Sequence, residues 1–349
     1  MRTGDNTSTG APKTQRTGDS SVASVSLADP ALENAVTEGM RRSEELLNYE
    51  LSLGEEFLVE RVCHLATAGG KRFRPMFSMM AAQFGPESDS EDVITAAAVV
   101  EMTHLATLYH DDVMDEADMR RGVQSANARW SNSVAILAGD YLFATASRLL
   151  SRLGSPTVAH FAQTFGELVT GQMRESIGCP EGTDEIEHYL DVIREKTGVL
   201  IASAGYLGAL HAGADMKTVE SLHKYGELVG LVFQIVDDII DISSNSEQSG
   251  KTPGTDLREG VFTLPVLYAL REQSDAGARL REILVGPVTD DALVDEALEL
   301  LAQTSGSAQA LDVVRDLVQQ AEAAIADLPE IPAKDALRML ASYTVDRVG

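Results

Sequence analysis

Cysteine is almost missing from this chain: Cys63 and Cys179 are the only two in 349 residues, and they lie far apart. That argues against a disulfide framework or a thiolate zinc site and fits a reduced, cytoplasmic setting. Aromatics make up only 5%, and runs alternating apolar with polar residues are scarce, so no extended sheet is expected. Bases are few as well. Lys and Arg number 28 against 54 Asp and Glu, a net charge of −26, which argues against nucleic acid or an anionic membrane as the principal partner. No uninterrupted apolar run approaches the ~20 residues of a membrane helix, and the opening residues lack a secretory apolar stretch. An integral membrane segment is therefore not expected.

What is present is a chain with 44% apolar residues, long enough to bury a large core. Residues 1–29 are rich in Ser, Thr and Gly with few large apolar side chains to offset the entropy of ordering, and they read as a disordered tail. From Pro30 onward, apolar residues recur at three- and four-residue spacing, so residues 30–349 read as one mostly helical domain. Breaks are expected at Gly69-Gly70, Pro86, Gly122, Gly154 to Pro156, Gly178 to Gly182, and the polar stretch from Ser243. Two segments, DVITAAAVVEMTHLATLYHDDVMDEADM and LHKYGELVGLVFQIVDDIIDI, are apolar broadly enough to be buried helices at the centre of a bundle.

Each of those two carries three aspartates at i, i+1 and i+4: Asp111, Asp112 and Asp115 in the first, Asp237, Asp238 and Asp241 in the second. Residues i and i+4 share a helix face. Carboxylates set among Val232, Phe233, Ile235, Val236, Ile239 and Ile240 must be compensated, because an unpaired buried ion costs several kcal/mol, on the order of the desolvation penalty. Hard oxygen donors with no neighbouring His or Cys favour magnesium, which binds through a few carboxylates together with substrate phosphates. Chance acidic pairs on solvated faces are common in so acidic a chain, but two identical trios inside apolar helices are not. Among the few cations, Lys71, Arg72 and Arg74 lie upstream in GGKRFRP, Arg120-Arg121-Gly122 follows the first trio, and Gly250-Lys251 follows the second. Glycines allow close backbone approach and guanidinium groups match phosphate oxygens. His104 stands two helical turns before Asp111. By itself it would more often be a core histidine.

The ordered set GGKRFRP, LYHDDVMDEADMRRG, EKTG, FQIVDDIID and GKTPGTDLREGVFTLP resembles the trans-isoprenyl diphosphate synthases, the polyprenyl synthetase family, of medium- or long-chain type. The resemblance implies an all-α, single-domain helical bundle around a central cavity. It implies a homodimeric prenyltransferase that joins isopentenyl diphosphate to an allylic diphosphate, with three magnesium ions when substrate is bound. Lys71, Arg74, His104 and Arg121 would bind the diphosphate of isopentenyl diphosphate. Asp111, Asp115 and Asp237 would hold magnesium, with Asp112, Asp238 and Asp241 in support; Arg120, Lys196 and Lys251 would hold the allylic diphosphate. Lys196, Thr197 and Gln234 would face the developing cation. One position departs from the family pattern, Val261 standing where Lys is frequent, which removes one diphosphate contact.

The turns beneath the first trio carry Ala106 and Thr107, then Met102 and Thr103. None is aromatic, so a growing chain could pass until Leu142 or Phe143 of a neighbouring helix closes the way, and a product longer than farnesyl is expected. Competing readings are a geranylgeranyl diphosphate synthase, a class I terpene cyclase, which has no use for GGKRFRP, and a non-catalytic subunit of a heteromeric synthase, which would lose its aspartates.

Overall fold

The computed structural model describes residues 27–243 and 253–346, with side chains to residue 343 in the last helix. The longer helices are α1 (Pro30–Leu51), α2 (Phe73–Ala82), α3 (Glu91–Met114) and α4 (Asn132–Leu150). They continue as α5 (Ser155–Ile177), α6 (Glu185–Ile193), α7 (Val199–His211) and α8 (Met216–Ser243). The C-terminal part adds α9 (Leu264–Arg271), α10 (Asp275–Ile283), α11 (Asp291–Leu301), α12 (Gly306–Ala324) and α13 (Pro332–Asp346). Their starts are encoded locally. Asp29 accepts a hydrogen bond from the Leu32 amide at 2.8 Å with Pro30 in the first helical position, and Ser90, Ser131 and Asp184 cap α3, α4 and α6 in the same way. Each sequence break falls at a helix end or connection, except that the polar stretch after Ser243 lies largely outside the described residues.

Helix α3 is buried over most of its surface, through Val93, Ala97, Val100, Leu105 and Tyr109 among others. It packs on α4, α7, α1 and α2, while α7 in turn packs on α8, and α8 on α12. This places both aspartate-bearing helices in the interior, as their breadth of apolar character requires. Leu257, Val266, Leu280, Val294 and Leu301 form a smaller core under the C-terminal helices. The only strand pairing among the described residues is a ribbon of Met119–Arg120 against Val123–Gln124.

Helix α4 does have the length and apolar composition of a membrane span. Its Ala135, Ala138, Leu142, Ala146 and Leu149 are buried in the bundle, and its Arg148 pairs with buried Glu50 of α1 at 2.5 Å, so it serves here as a core helix.

Helices α2 and α7 approach closely because α7 offers glycine: a Cβ on Gly208 would lie 2.3 Å from the Ser78 carbonyl oxygen. Gly208→Ala is therefore expected to cost about 1–3 kcal/mol as the two helices are forced apart. Denaturant titration checks this, and an unchanged midpoint would mean that the contact is soft.

Candidate active site

The first aspartate trio sits at the C-terminal end of α3, where the helix dipole is itself negative. Asp111 and Asp112 lie in the last turn. Asp115 lies outside the helix as its C-cap, not within it as the sequence pattern suggested. The cause is the stop: Glu116 takes a left-handed φ of 49°, and the Ala117 amide returns to the Asp112 carbonyl at 3.0 Å, the six-to-one bond of a Schellman ending. The chain then enters the two-stranded ribbon, whose turn has positive φ at Arg121 (52°) and Gly122 (77°). Arg120 reaches back to the aspartates, its Nε 2.6 Å from Asp112 Oδ1 and its Nη2 3.7 Å from Asp115 Oδ2. Arg121 goes to the Leu65 and Gly69 carbonyls at 3.1 and 2.5 Å.

The second trio closes α8. Asp238 is buried, accepting a short hydrogen bond from the Tyr189 hydroxyl on one oxygen and one of 2.9 Å from Gln234 Nε2 on the other. It is therefore held by protein donors; Asp237 and Asp241 are half-exposed, and Asp241 Oδ2 accepts from the Asp256 amide at 3.3 Å. Gln234 Oε1 accepts from Thr197 Oγ1 at 3.2 Å, so Thr197, Gln234, Asp238 and Tyr189 form one relay. Thr197 and Lys196 belong to a wide π-helical turn, Arg194–Gly198, joining α6 to α7. Helix α5 crosses it tightly, for a Cβ on Gly171 would meet the Lys196 amide nitrogen at 2.6 Å. From α5, Glu175 forms a short ion pair with Lys196.

The two trios share one electrostatic neighbourhood. Glu259, in the short helix Thr255–Glu259, has its carboxyl pushed up by burial and then by the charges of both Asp115 and Asp241. Burial pushes Asp111 up to about 6, with Asp115 and Glu175 adding to the rise and Lys196 and Arg120 opposing it. Burial likewise takes Asp238 up to about 7 and raises Asp112 and Asp115. Asp112 Oδ2 is buried without a hydrogen-bond partner. Among the described residues no three His, Cys, Asp or Glu side chains stand close enough to cage an ion by themselves. Even so, an excess of under-compensated carboxylates with an orphaned oxygen fits a divalent cation whose remaining ligands come from elsewhere.

Beside this acidic rim lies a basic pocket. Arg74 is half-buried with its Nε out of solvent and lacking an acceptor, and burial drives it down to about 10. His104 is held well below the usual histidine range by burial, then by Arg74, Arg121, Arg72 and Arg120. Lys71 Nζ stands 5.3 Å from the Phe233 ring centroid on α8, linking the pocket to the second trio's helix. Lys251 lies outside the described residues. Val261 is half-buried, its amide donating to the Asp256 carbonyl at 2.9 Å. Glu175, Tyr189 and Glu259 were not singled out from sequence; the Gly-Gln-x-x-Glu run at Gly171–Glu175 was the one legible hint of the first.

A family model described as polyprenyl synthetase matches residues 55–301. The chain is 55% identical to nonaprenyl diphosphate synthase of Mycobacterium tuberculosis over 96% of its own length and all of the relative's. The crystal structure of geranylgeranyl pyrophosphate synthase from Corynebacterium glutamicum, complexed with calcium and isoprenyl diphosphate, superposes with a TM-score of 0.84 at 62% identity, covering 92% of this chain and 98% of that one. A decaprenyl diphosphate synthase from Rhodobacter capsulatus gives 0.83 at 33%, covering 91% and 99%. With both carboxylate trios and the arginine-rich turn assembled about one site, this chain belongs to the polyprenyl synthetase family of trans-prenyltransferases.

Proposed function

We propose that the chain is a magnesium-dependent polyprenyl diphosphate synthase, cytosolic and homodimeric, that adds isopentenyl units head-to-tail to an allylic diphosphate and makes a product longer than farnesyl. The observation that carries this reading is the meeting of two aspartate trios around Glu259, next to a separate basic pocket. Two anionic groups need two addresses. Asp111, Asp115 and Asp237 would hold the ions, and magnesium bound there would neutralise the leaving diphosphate as a Lewis acid. Asp112 and Asp241 would steady the ion-holding groups, and Asp238 would do so through Gln234 and Tyr189.

The residues of the chain do the rest. Arg120 and Lys196 are paired to Asp112, Asp115 and Glu175 and would exchange those partners for the allylic diphosphate, with Lys251 joining them. The carbon–oxygen bond breaks with its electrons on the diphosphate. Thr197 and Gln234 supply partial negative charge toward the carbon left behind, the Gln234 amide oxygen being aligned by the Thr197 hydroxyl. Lys71, Arg74, Arg121 and neutral His104 present isopentenyl diphosphate, whose double bond attacks that carbon, and the proton lost from the new bond goes to the released diphosphate.

Product length follows from α3. On this largely buried helix His104, Thr107, Leu108 and Asp111 are partly accessible and form a stripe at i, i+3, i+4 and i+7, along which a growing chain would run. Ala106, Met102 and Thr103 are fully buried. Further out, Phe143 of α4 stacks on Phe165 of α5 at 4.2 Å between ring centroids, a suitable floor for a long chain. The exposed Leu137, Val169, Met173 and Ile177 on α4 and α5 support a partner copy there.

Incubating the purified protein with isopentenyl diphosphate, magnesium and each allylic diphosphate should give all-trans products above fifteen carbons. Cyclised hydrocarbon, or no extension, would overturn the assignment. A linkage effect tests the ion site independently. Asp111 and Asp238 keep protons in the ion-free fold that the unfolded chain would release, so their stabilisation, complete only below about pH 4, is lost progressively as pH rises to about 6 to 7. Cation binding displaces such protons. Stabilisation by magnesium with inorganic diphosphate should therefore be larger at pH 8 than at pH 5.5, with protons released on binding near pH 6, as calorimetry in buffers of different ionisation enthalpy would report. Equal stabilisation at both pH values would contradict it.

A further inference from the structure

A buried carboxylate outside both trios organises the basic pocket. Glu101 lies on α3, ten residues before Asp111, only 3% exposed. Arg72 Nη1 donates to it at 2.8 Å, and Arg121 Nη2 stands 3.9 Å away. Glu101 also acts on the charge of Arg74. Three guanidinium groups thus gather around one interior acid.

Arg72 and Arg121 both spring from left-handed backbone, φ 48° and 52°, which a non-glycine residue rarely adopts and which persists only where surroundings enforce it. Each also ties down the connection before α2. Arg72 donates to the Ala66 carbonyl at 2.7 Å and Arg121 to those of Leu65 and Gly69. The fit is close: a Cβ on Gly70 would sit 2.9 Å from the Arg121 guanidinium carbon. Arg72 has one further acid, Glu44, at 3.1 Å, but that side chain is 52% exposed and screened by solvent.

We propose that Glu101 is a positioning residue for the homoallylic substrate: by clamping Arg72 and Arg121 it fixes the Gly69-Gly70 turn and so aims Lys71 and Arg74 at the diphosphate of isopentenyl diphosphate. This rests on the reading of Lys71 and Arg74 as that diphosphate's address. Arg72 acts as a strut rather than a substrate contact, since its guanidinium is spent on Glu101, Glu44 and the Ala66 carbonyl. A charge-assisted bond lost from such a pair is expected to cost about tenfold in substrate binding.

The test varies each substrate separately in steady state. Glu101→Gln should raise KM for isopentenyl diphosphate about tenfold while kcat and KM for the allylic diphosphate stay within about threefold, and Glu101→Asp, which keeps the charge, should fall between it and the parent. Equal rises for both substrates, or no rise for either, would overturn the proposal. Should Glu101→Gln not fold, Arg72→Gln removes the same bond from the outer side and must reproduce the selective rise; an unchanged KM there overturns the proposal too. Arg74→Ala separates the underlying reading. If it raises KM for isopentenyl diphosphate and Glu101→Gln does not, only the positioning role fails; if neither does, the pocket assignment falls.

Discussion

Asp111→Asn is expected to lower turnover by about 10³-fold, the scale seen when one preorganised charge contact to a developing anion is removed. Asparagine preserves size and hydrogen bonding, so the loss isolates the charge. The side chain lies where Lys196, Asp115, Arg120 and Glu175 all act on it, in the middle of the acidic rim. KM for isopentenyl diphosphate should change little, because the basic pocket is built from other residues. Stability should move the other way. A carboxyl raised to about 6 by burial destabilises the ion-free fold when it ionises, so the melting temperature of the ion-free variant at pH 8 should rise. Steady-state assays with radiolabelled isopentenyl diphosphate and thermal unfolding decide both points, and turnover within tenfold of the parent would move the ion site elsewhere.

The second large effect concerns product. Thr107 occupies the partly open stripe of α3 one turn before Asp111, its hydroxyl donating to the His104 carbonyl at 2.9 Å. A helical turn rises about 5.4 Å, close to the reach of one isoprene unit. A ring at Thr107→Phe should therefore stop growth at about three to four units while leaving the first condensation intact. Ala106→Phe should shorten the product as well but must also move α4, because Ala106 is fully buried and a Cβ on Gly139 of α4 would already be 3.0 Å from the Ala106 carbonyl oxygen. Chromatography of dephosphorylated products reads the length directly. An unchanged product from Thr107→Phe would place the growing chain along another face of α3.

Much of the site was legible in order of residues because its chemistry is repetitive. Two trios at i, i+1 and i+4, in helices too apolar to be surface elements, could be recognised without coordinates. Less visible were contributions from single residues on other elements. Glu175 comes from α5, Tyr189 from α6 and Glu259 from a short helix beyond the second trio, and nothing in their local sequence says that they face the aspartates. The helix ending was also misread by pattern: Asp115 keeps the periodicity but not the helix, because Glu116 turns left-handed where glycine is usual.

By itself, the sequence determined that the protein is helical, that it is acidic with short basic runs at Lys71-Arg72 and Arg120-Arg121, and that buried carboxylates must meet cations. These follow from periodicity and from the cost of isolating charge, which are properties of residue type and spacing. Only the tertiary structure decided partners: Asp238 turned to Tyr189 and Gln234, Arg120 to Asp112, Arg121 to backbone carbonyls, and Glu101 set among three arginines. Which opposite charge a side chain meets depends on distances across the bundle of a few ångströms, and those arise from how whole helices pack, not from any local run of residues.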